Sequence, residues 1–215
     1  MFYRHVPHFQ FAYRPKSNTT CCLVSVHDYI TALLDIDDVC ACLLLNYDIS
    51  KAFDTICHKL LLEKLLKLHF PNGFVKIMYS YLESRFQCVK FQDSYSSFSH
   101  VTSGAPQGSL LGPFLFILYC HDLKPFSATT NIAQYADDIY EICPIYKSCV
   151  SQCISTINFE YYHVKDWALS NSFVLNKSKT KGIVFHRKCS SIDVSFPFSL
   201  VDDMKILGVT WNIII

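Results

Sequence analysis

Apolar side chains recur at steps of three and four residues in five stretches of this chain, a spacing that predicts amphipathic helices. The first stretch follows Thr19-Thr20, which could cap its helix. The second and third span residues 61–66 and 74–82, the fourth follows Pro113, and the fifth spans residues 150–168. Shorter patterns between them predict strands. Because helices and strands do not alternate strictly, the pattern predicts an α+β fold.

The strand signals differ in kind. Residues 39–45 form an apolar run bounded by acids, which is typical of a buried strand. Two pairs of apolar stretches flank polar turns and predict hairpins, one turning at Asp93-Ser94 and one carrying Asp137-Asp138 at its tip. Residues 182–186 and 204–211 are the remaining strand candidates.

Composition narrows the class of protein. The 215 residues are 51% hydrophobic and carry a net charge of +1, which excludes a uniformly basic nucleic-acid coat and an acidic disordered tail. The longest apolar stretch, residues 110–120, is too short for a membrane-spanning helix, and the N-terminus shows no signal peptide. The 11 scattered cysteines lack zinc-site spacing and are expected to be reduced thiols of an intracellular protein.

Three aspartates are the first candidates for chemistry. Asp137 and Asp138 repel each other at a tight turn, and a divalent cation would relieve that repulsion, although taken alone the pair is more typical of a solvent-facing turn. Asp48 ends the apolar strand. If that strand pairs with the Asp137 hairpin, three carboxylates converge, enough to hold two ions about 4 Å apart. Asp54 is expected to cap the next helix or to point toward substrate.

The loop Ser103–Ser109 is the second candidate. Gly104 and Gly108 permit unusual backbone angles and allow a ligand to approach closely, and Gln107 between them offers both a donor and an acceptor. By itself the loop is more typical of an ordinary connection into the helix that begins near Pro113.

Together these segments resemble the reverse transcriptase domain of non-LTR (LINE-type) retrotransposons. The resemblance covers residues 8–211, and the APQGSLLGP and YADD motifs are its most specific parts. The matching phrases are QFAYRPKSNTT (10–20), DISKAFDTICH (48–58), VTSGAPQGSLLGPFLF (101–116), QYADDIY (134–140), the stretch 167–180 with Asn176 and Lys179, and MKILGVT (204–210).

The resemblance implies a right-hand polymerase core made of fingers and palm. The fingers would span roughly residues 1–40 and 70–103, and the palm roughly 41–69 and 104–215. The palm would be an antiparallel sheet backed by helices near residues 58–68, 113–122 and 148–169. Because the chain ends just beyond Gly208, the thumb is expected to be absent, and the chain could be one part of a longer polyprotein.

The resemblance also implies roles for individual residues. The catalytic, metal-binding aspartates would be Asp48, Asp137 and Asp138, with the Ile49 carbonyl completing the metal shell. The incoming nucleotide would be contacted by Arg14, Lys16, Phe53, Gln107, Gly108 and Lys179, with Phe53 excluding a ribose 2′-hydroxyl. The primer end would be gripped by the turn Leu207-Gly208-Val209.

The implied function is RNA-directed DNA polymerisation with Mg²⁺, or Mn²⁺ as a substitute. The partners would be an RNA template, a DNA primer and deoxynucleotides, with no membrane, and the family resemblance implies the nucleus although the sequence shows no localisation signal. Departures such as Ile139 and Glu141 after the aspartate pair leave an alternative, a catalytically inactive remnant that only binds nucleic acid.

Overall fold

The computed structural model describes residues 5–186 and 195–212 of the chain. The helices are α1 (Thr19–Leu34), α2 (His58–Lys67), α3 (Asn72–Leu82), α4 (Leu111–Tyr119) and α5 (Val150–Ser170), with a 3₁₀ turn at Lys147–Cys149. The strands are β1 (Val39–Tyr47), β2 (Phe86–Gln87), β3 (Lys90–Phe91), β4 (Ser94–Tyr95), β5 (Ser99–His100), β6 (Asn131–Tyr135), β7 (Asp138–Tyr146), β8 (Lys181–His186), β9 (Ser199–Leu200), β10 (Asp203–Ile206) and β11 (Val209–Asn212). These elements confirm the predicted α+β class.

The chain divides into two compact units. The first comprises Lys51–Asp122 and Asn171–Phe173 together with His5 and Val6. The second comprises Pro7–Ser50, Leu123–Ser170 and the described residues from Val174 onward. Within the described part of the chain, no helix is both long and apolar enough to cross a membrane.

The second unit is built on a five-stranded sheet in the order β6-β7-β1-β8-β9. The first four strands are antiparallel to their neighbours, but β8 and β9 are parallel, so the sheet is mixed and the prediction of a purely antiparallel sheet is wrong at this edge. Gly182 explains the close approach of β9. A Cβ atom there would lie 2.9 Å from the ring of Phe198 and 3.2 Å from Leu200.

Helices α1 and α5 cover the sheet within this unit. The buried stripe of α1, which includes Val26 and Ile30, packs on Leu44 and Ile142 of the sheet. Helix α5 packs along β7, and the ring of Tyr161 stacks on that of Tyr47 at 6.2 Å. Of the helices predicted to back the sheet, the one near residues 148–169 is therefore confirmed, and α1 is an addition to the predicted set.

Local signals explain the element ends. Helix α1 begins at Thr19, but its cap is Asn18, whose side chain accepts a hydrogen bond from the N–H of Cys21 at 2.9 Å.

The strand predicted over residues 204–211 is instead the hairpin β10–β11. Leu207 and Gly208 have φ angles of 46° and 89°, which make the two-residue turn that a hairpin with right-handed twist favours.

The first unit packs α2 against α3 and α4. Its buried lysine, Lys64, donates from Nζ to the carbonyl oxygen of Tyr119 at 2.5 Å and to Asp122 Oδ1 at 2.8 Å. The amine therefore satisfies the C-terminal end of α4, where carbonyl groups lack helical partners and a cation is favoured.

Candidate active site

The register of β1 and β7 places two of the three predicted aspartates opposite each other. Tyr47 pairs with Ile139 at the end of the ladder, so the next residue on each strand is Asp48 and Asp138. Directly opposed residues of an antiparallel pair project from the same face of the sheet. The condition for convergence, that the two strands are neighbours, is therefore met.

Asp137 lies in the two-residue turn that joins β6 to β7. Tyr135 pairs with Asp138 across this hairpin, and Ala136 has a φ angle of 56°. The predicted hairpin with paired carboxylates at its tip is confirmed. Since a positive φ is unfavourable for alanine, contacts from outside the hairpin are expected to hold this turn.

Gln10 supplies those contacts. Its Oε1 accepts the N–H groups of Ala136 at 3.1 Å and Ala12 at 2.9 Å, and its Nε2 donates to the carbonyl oxygen of Ala136 at 3.3 Å. The backbone on either side is tied to Gln134, whose N–H donates to Phe9 and whose carbonyl accepts from Phe11, both at 2.8 Å. The buried amide of Gln10 thus fixes the turn that carries Asp137.

We expect Gln10→Leu to lower the free energy of unfolding by about 2 kcal/mol, because it leaves two backbone N–H groups without their acceptor. Urea denaturation of the purified chain measures the change. The matched control is Gln152→Leu on the exposed face of α5, which is expected to change stability by less than about 0.5 kcal/mol. Equal stabilities for the Gln10 variant and the original chain would contradict the assigned role.

The electrostatics of the carboxylates show an excess of negative charge. Burial, reinforced by the neighbouring charge of Asp137, raises the pKa of Asp138 to about 6. A hydrogen bond with Tyr140 opposes this shift, and the charge of Asp48 adds to it. The same Asp138 charge helps burial to raise the pKa of Tyr140 well above its ordinary value. Asp138 therefore binds a proton more readily than an exposed carboxyl does.

Lys179 lies beside Asp48, with its Nζ 3.7 Å from Asp48 Oδ1. The turn that presents it is organised by Asn176, whose N–H donates to the Asp48 carbonyl at 2.8 Å and whose carbonyl accepts from the N–H groups of Lys179 and Thr180. Ile49, the predicted carbonyl ligand, is buried and pairs with Leu175. The structure thus brings Asp48, Ile49 and Lys179 together.

Across residues 5–186 and 195–212, no three His, Cys, Asp or Glu side chains are grouped closely enough to hold a metal ion. The expected convergence therefore does not extend to a ready-made ligand cage among these residues. The donor set nevertheless fits a hard divalent cation. Asp48, Asp137 and Asp138 offer oxygen only, and the charges of Asp137 and Asp48 add to burial in raising the pKa of Asp138, a repulsion that a bound cation would relieve.

The second unit also holds the residues predicted to bind the triphosphate and the primer end. Arg14 donates from Nη1 to the carbonyl oxygens of His8 at 3.0 Å and Gln10 at 3.2 Å, so it folds the loop that carries Gln10. Lys16 is exposed and has a φ angle of 60°. The predicted primer-gripping residues form the tip of the β10–β11 hairpin, with Val209 as the first residue of β11.

The first unit holds Phe53, Gln107 and Gly108. The ring of Phe53 stacks on that of Phe116 with centroids 4.4 Å apart, and its carbonyl accepts the N–H of Ala105 at 2.9 Å. Gly108 has a φ angle of 77°. Gly104 cannot be replaced without strain, since its φ angle is 87° and a Cβ would lie 2.9 Å from the carbonyl oxygen of Asp54.

Asp54 does not cap a helix. Its Oδ1 accepts a hydrogen bond from Gln107 Nε2 at 2.8 Å, and α2 begins at His58 without a side-chain cap. His58 instead contacts the Gly104 carbonyl through Nε2 at 2.8 Å. Asp54 and His58 therefore position the Ser103–Ser109 loop.

Sequence reasoning missed Gln10 and the loop-holding roles of Asp54 and His58. The available signal for Gln10 was a polar residue inside the apolar run Phe9–Ala12, a pattern that predicts a buried, fully hydrogen-bonded amide. For Asp54, the sequence shows only an acid shortly before a helix. Such a residue can cap the helix or bind a neighbouring loop, so its hydrogen-bond partner could not be deduced from the sequence.

Comparison with known proteins adds a family match. A family model described as reverse transcriptase (RNA-dependent DNA polymerase) matches residues 1–211. The probable RNA-directed DNA polymerase from transposon X-element of Drosophila melanogaster is 32% identical over 187 residues, covering 85% of this chain and 20% of that protein. The RNA-directed DNA polymerase from mobile element jockey of Drosophila funebris is 28% identical over 217 residues, covering 96% and 23%. The chain thus spans about a fifth of the length of these relatives.

Solved structures show the same fold at low identity. Apo telomerase from Candida tropicalis, truncated from its C-terminal domain, aligns with a TM-score of 0.65 and 13% identity over 95% of this chain and 39% of that one. Telomerase from Candida albicans, in complex with a TWJ fragment of telomeric RNA, aligns with a TM-score of 0.62 and 13% identity over 98% and 34%. At this identity the likeness concerns the fold alone.

Proposed function

Because the chain belongs to the reverse transcriptase family and is related to the enzymes of non-LTR retrotransposons, we propose that it is an RNA-directed DNA polymerase. It would add deoxynucleotides to a primer 3′ end on an RNA template by two-metal phosphoryl transfer. The single observation that carries the proposal is the β1–β7 register, which sets Asp48 opposite Asp138 with Asp137 in the adjoining turn.

Phosphoryl transfer demands positioning and charge stabilisation more than covalent chemistry from the protein. Asp48, Asp137, Asp138 and the Ile49 carbonyl would hold Mg²⁺, or Mn²⁺ in its place. When bound, the ions supply activation of the attacking hydroxyl and neutralisation of developing phosphate charge. Lys179, already beside Asp48, would add positive charge toward the departing pyrophosphate.

The remaining residues would orient the nucleotide and the primer. Phe53 would exclude the ribose 2′-hydroxyl, and its stacking on Phe116 supports this role because a gate must be rigid. Gln107 and Gly108 would contact nucleotide and template, Arg14 and Lys16 the triphosphate, and Leu207–Val209 the primer end. In this proposal the sheet that carries the aspartates is the palm of a right-hand polymerase core.

A nucleic-acid-binding protein without turnover is the second candidate. One observation favours it: in the described part of the chain the carboxylates are not grouped into a ready-made metal site. The two candidates share every binding residue and differ only in whether phosphodiester bonds form.

Primer extension separates the candidates. The purified chain is incubated with a DNA primer annealed to an RNA template, deoxynucleotides and Mg²⁺, and products are resolved by length. We expect extension that follows the template sequence, stops when EDTA removes the metal and resumes when Mg²⁺ or Mn²⁺ is restored. A folded chain that binds primer–template but extends it with neither ion would establish the second candidate instead.

A further inference from the structure

Two cysteine side chains meet at the start of α5. The Sγ atoms of Cys149 and Cys153 are 3.8 Å apart, and both residues are reduced thiols. Cys149 is the last residue of the 3₁₀ turn Lys147–Cys149, and Cys153 lies on the first turn of α5, which begins at Val150. The separation is close to the distance of about 3–3.5 Å from which two positioned atoms react. The pair is therefore a candidate for chemistry that uses both sulfur atoms.

Hydrogen bonds hold each cysteine in place. On the side of Cys149, the neighbouring Ser148 donates to the carboxylate of Asp38, from its Oγ at 2.6 Å and from its N–H at 3.2 Å. These bonds anchor the turn to the residue that precedes β1. On the other side, Cys153 Sγ accepts a hydrogen bond from the N–H of Tyr146 at 3.4 Å. The close approach of the two sulfur atoms therefore follows from the packing of the turn.

A cavity gives dissolved molecules access to the pair. Its volume is about 220 Å³, and both cysteines line it together with the exposed residues Thr129 and Gln152, so the cavity is open to solvent. Cys149 is half-buried, whereas Cys153 is only 8% exposed. A reagent that enters the cavity therefore reaches Cys149 first, and Cys153 meets it once it is attached to Cys149.

The surroundings give the two sulfur atoms different roles. Burial raises the pKa of the Cys153 thiol, and the hydrogen bond from Tyr146 opposes this shift only in part. The thiolate is the nucleophile in thiol–disulfide exchange, so a thiol that stays protonated is a poor first attacker. Held beside Cys149, it nevertheless acts at a high effective concentration on that one neighbour. Cys149 is therefore the attacking residue and Cys153 the resolving residue.

We infer that Cys149 and Cys153 form a reversible redox site, which a small-molecule disulfide such as oxidised glutathione converts to an internal disulfide. The Cys149 thiolate attacks one sulfur of the small molecule, forms a mixed disulfide and releases the first small thiol. The Cys153 sulfur then attacks Cys149 Sγ, which closes the bond between the two cysteines and releases the second small thiol. The cysteines lose two electrons, the small-molecule disulfide gains them, and the two protons leave on the released thiols.

The spacing of the two cysteines makes the cross-link reversible. Side chains four residues apart on a helix have Cβ atoms about 5–6 Å apart, whereas a disulfide requires about 3.5–4.5 Å. Closing the bond therefore tightens and strains the turn before Val150. Strained disulfides are readily reduced, which is the property of labile pairs and not of structural ones. None of the residues assigned to polymerisation takes part, so the site is independent of the proposed function.

Peptide mass spectrometry tests the site. The folded chain is incubated with oxidised glutathione, its remaining thiols are alkylated in denaturant, and trypsin then releases residues 148–165 as one peptide that holds both cysteines and no other. We expect this peptide to resist alkylation and to weigh about 2 Da less than its reduced form, the mass of two hydrogen atoms. Reduced glutathione added before alkylation is expected to restore both thiols.

Single serine variants are the matched controls. Cys153→Ser has no resolving thiol, so we expect its peptide to accumulate one bound glutathione. In the original chain Cys153 displaces that glutathione, and the mixed disulfide is expected to be less than about a tenth of the product. Cys149→Ser is expected to leave the buried Cys153 unreacted. Circular dichroism verifies that each variant remains folded, and the assay contains no nucleic acid, so a chain without polymerase activity gives the same readout.

Three results would overturn the inference. One is a folded chain whose peptide 148–165 keeps both thiols in excess oxidised glutathione. Another is a mixed disulfide that accumulates to the same extent in the original chain and in Cys153→Ser. The third is a cross-link that forms only in urea, which would show that the folded turn prevents the two sulfur atoms from closing.

Discussion

Asp137→Asn is expected to reduce primer extension by at least about 10³-fold while leaving the fold intact. The substitution preserves shape and removes one anionic oxygen ligand, and the charge stabilisation supplied by a bound metal amounts to several kcal/mol, each 1.36 kcal/mol being a factor of ten in rate. Extension assays at saturating primer–template and deoxynucleotide measure the loss directly.

Stability makes this prediction sharper. The charge of Asp137 contributes to raising the pKa of its neighbour Asp138, so neutralising it removes a repulsion. Asp137→Asn is therefore expected to be at least as stable as the original chain in urea. Asp202→Asn, which neutralises an exposed carboxylate elsewhere in the same unit, serves as the control and is expected to retain full extension. Extension by a folded Asp137 variant at the control's rate would remove Asp137 from the metal site.

The second large effect is expected from substitution of Glu141, which changes the free energy of unfolding. This residue of β7 is fully buried, its Oε2 accepts a hydrogen bond from the Tyr47 hydroxyl at 2.5 Å, and its Oε1 has no hydrogen-bond partner among the described residues. Burial raises the pKa of the Glu141 carboxyl from 4.5 to about 8, opposed by the Tyr47 hydrogen bond and reinforced by Glu160 of α5. Cys143 of β7 is the other titratable group facing it.

The sign of the pH dependence follows from this raised pKa. At pH 7 the folded chain keeps a proton on Glu141 that the unfolded chain has released, so stability from this group is complete below pH 4.5 and is lost as pH rises toward 8. Glu141→Gln mimics the protonated form at every pH. We therefore expect it to match the original chain near pH 4.5 and to exceed its free energy of unfolding by about 3 kcal/mol at pH 7.

Glu160→Gln is the matched control. Glu160 is as buried as Glu141, but both of its carboxylate oxygens accept hydrogen bonds from backbone N–H groups. Its carboxylate oxygens accept the N–H groups of Phe126 at 2.8 Å and Ser127 at 2.7 Å. Replacing one oxygen by an NH₂ group sets donor against donor, so this variant is expected to lose about 1–3 kcal/mol. Urea denaturation across pH measures both, and a Glu141→Gln variant less stable than the original chain at pH 7 would contradict the assignment.

The sheet and its aspartates could be predicted because their signals are local. The apolar run of β1 and the apolar stretches that flank Asp137-Asp138 predict strands, but β1 is buried on both faces, so its register with β7 does not follow from its own pattern. The family resemblance singles out the same three carboxylates, and the pairing of β1 with β7 sets Asp48 and Asp138 side by side.

Contacts between distant segments could not be predicted in this way. Gln10 reaches Ala136 across most of the chain, and the parallel edge strand β9 depends on the absence of a side chain at Gly182. Glu141 stood out in the sequence as an acid within an apolar strand. Its partner Tyr47 became apparent only from the pairing of β1 with β7.

The central position of β1 constrains how the chain folds during synthesis. Its two partners, β7 and β8, both follow it by long stretches of sequence, whereas the β6–β7 hairpin closes locally and within about 10 μs. At translation rates of about 5–20 residues per second, the apolar strand waits on the order of ten seconds for its first partner. During that interval the apolar residues of β1 lack their strand partners on the nascent chain, so aggregation through this segment is the hazard that a chaperone would have to prevent.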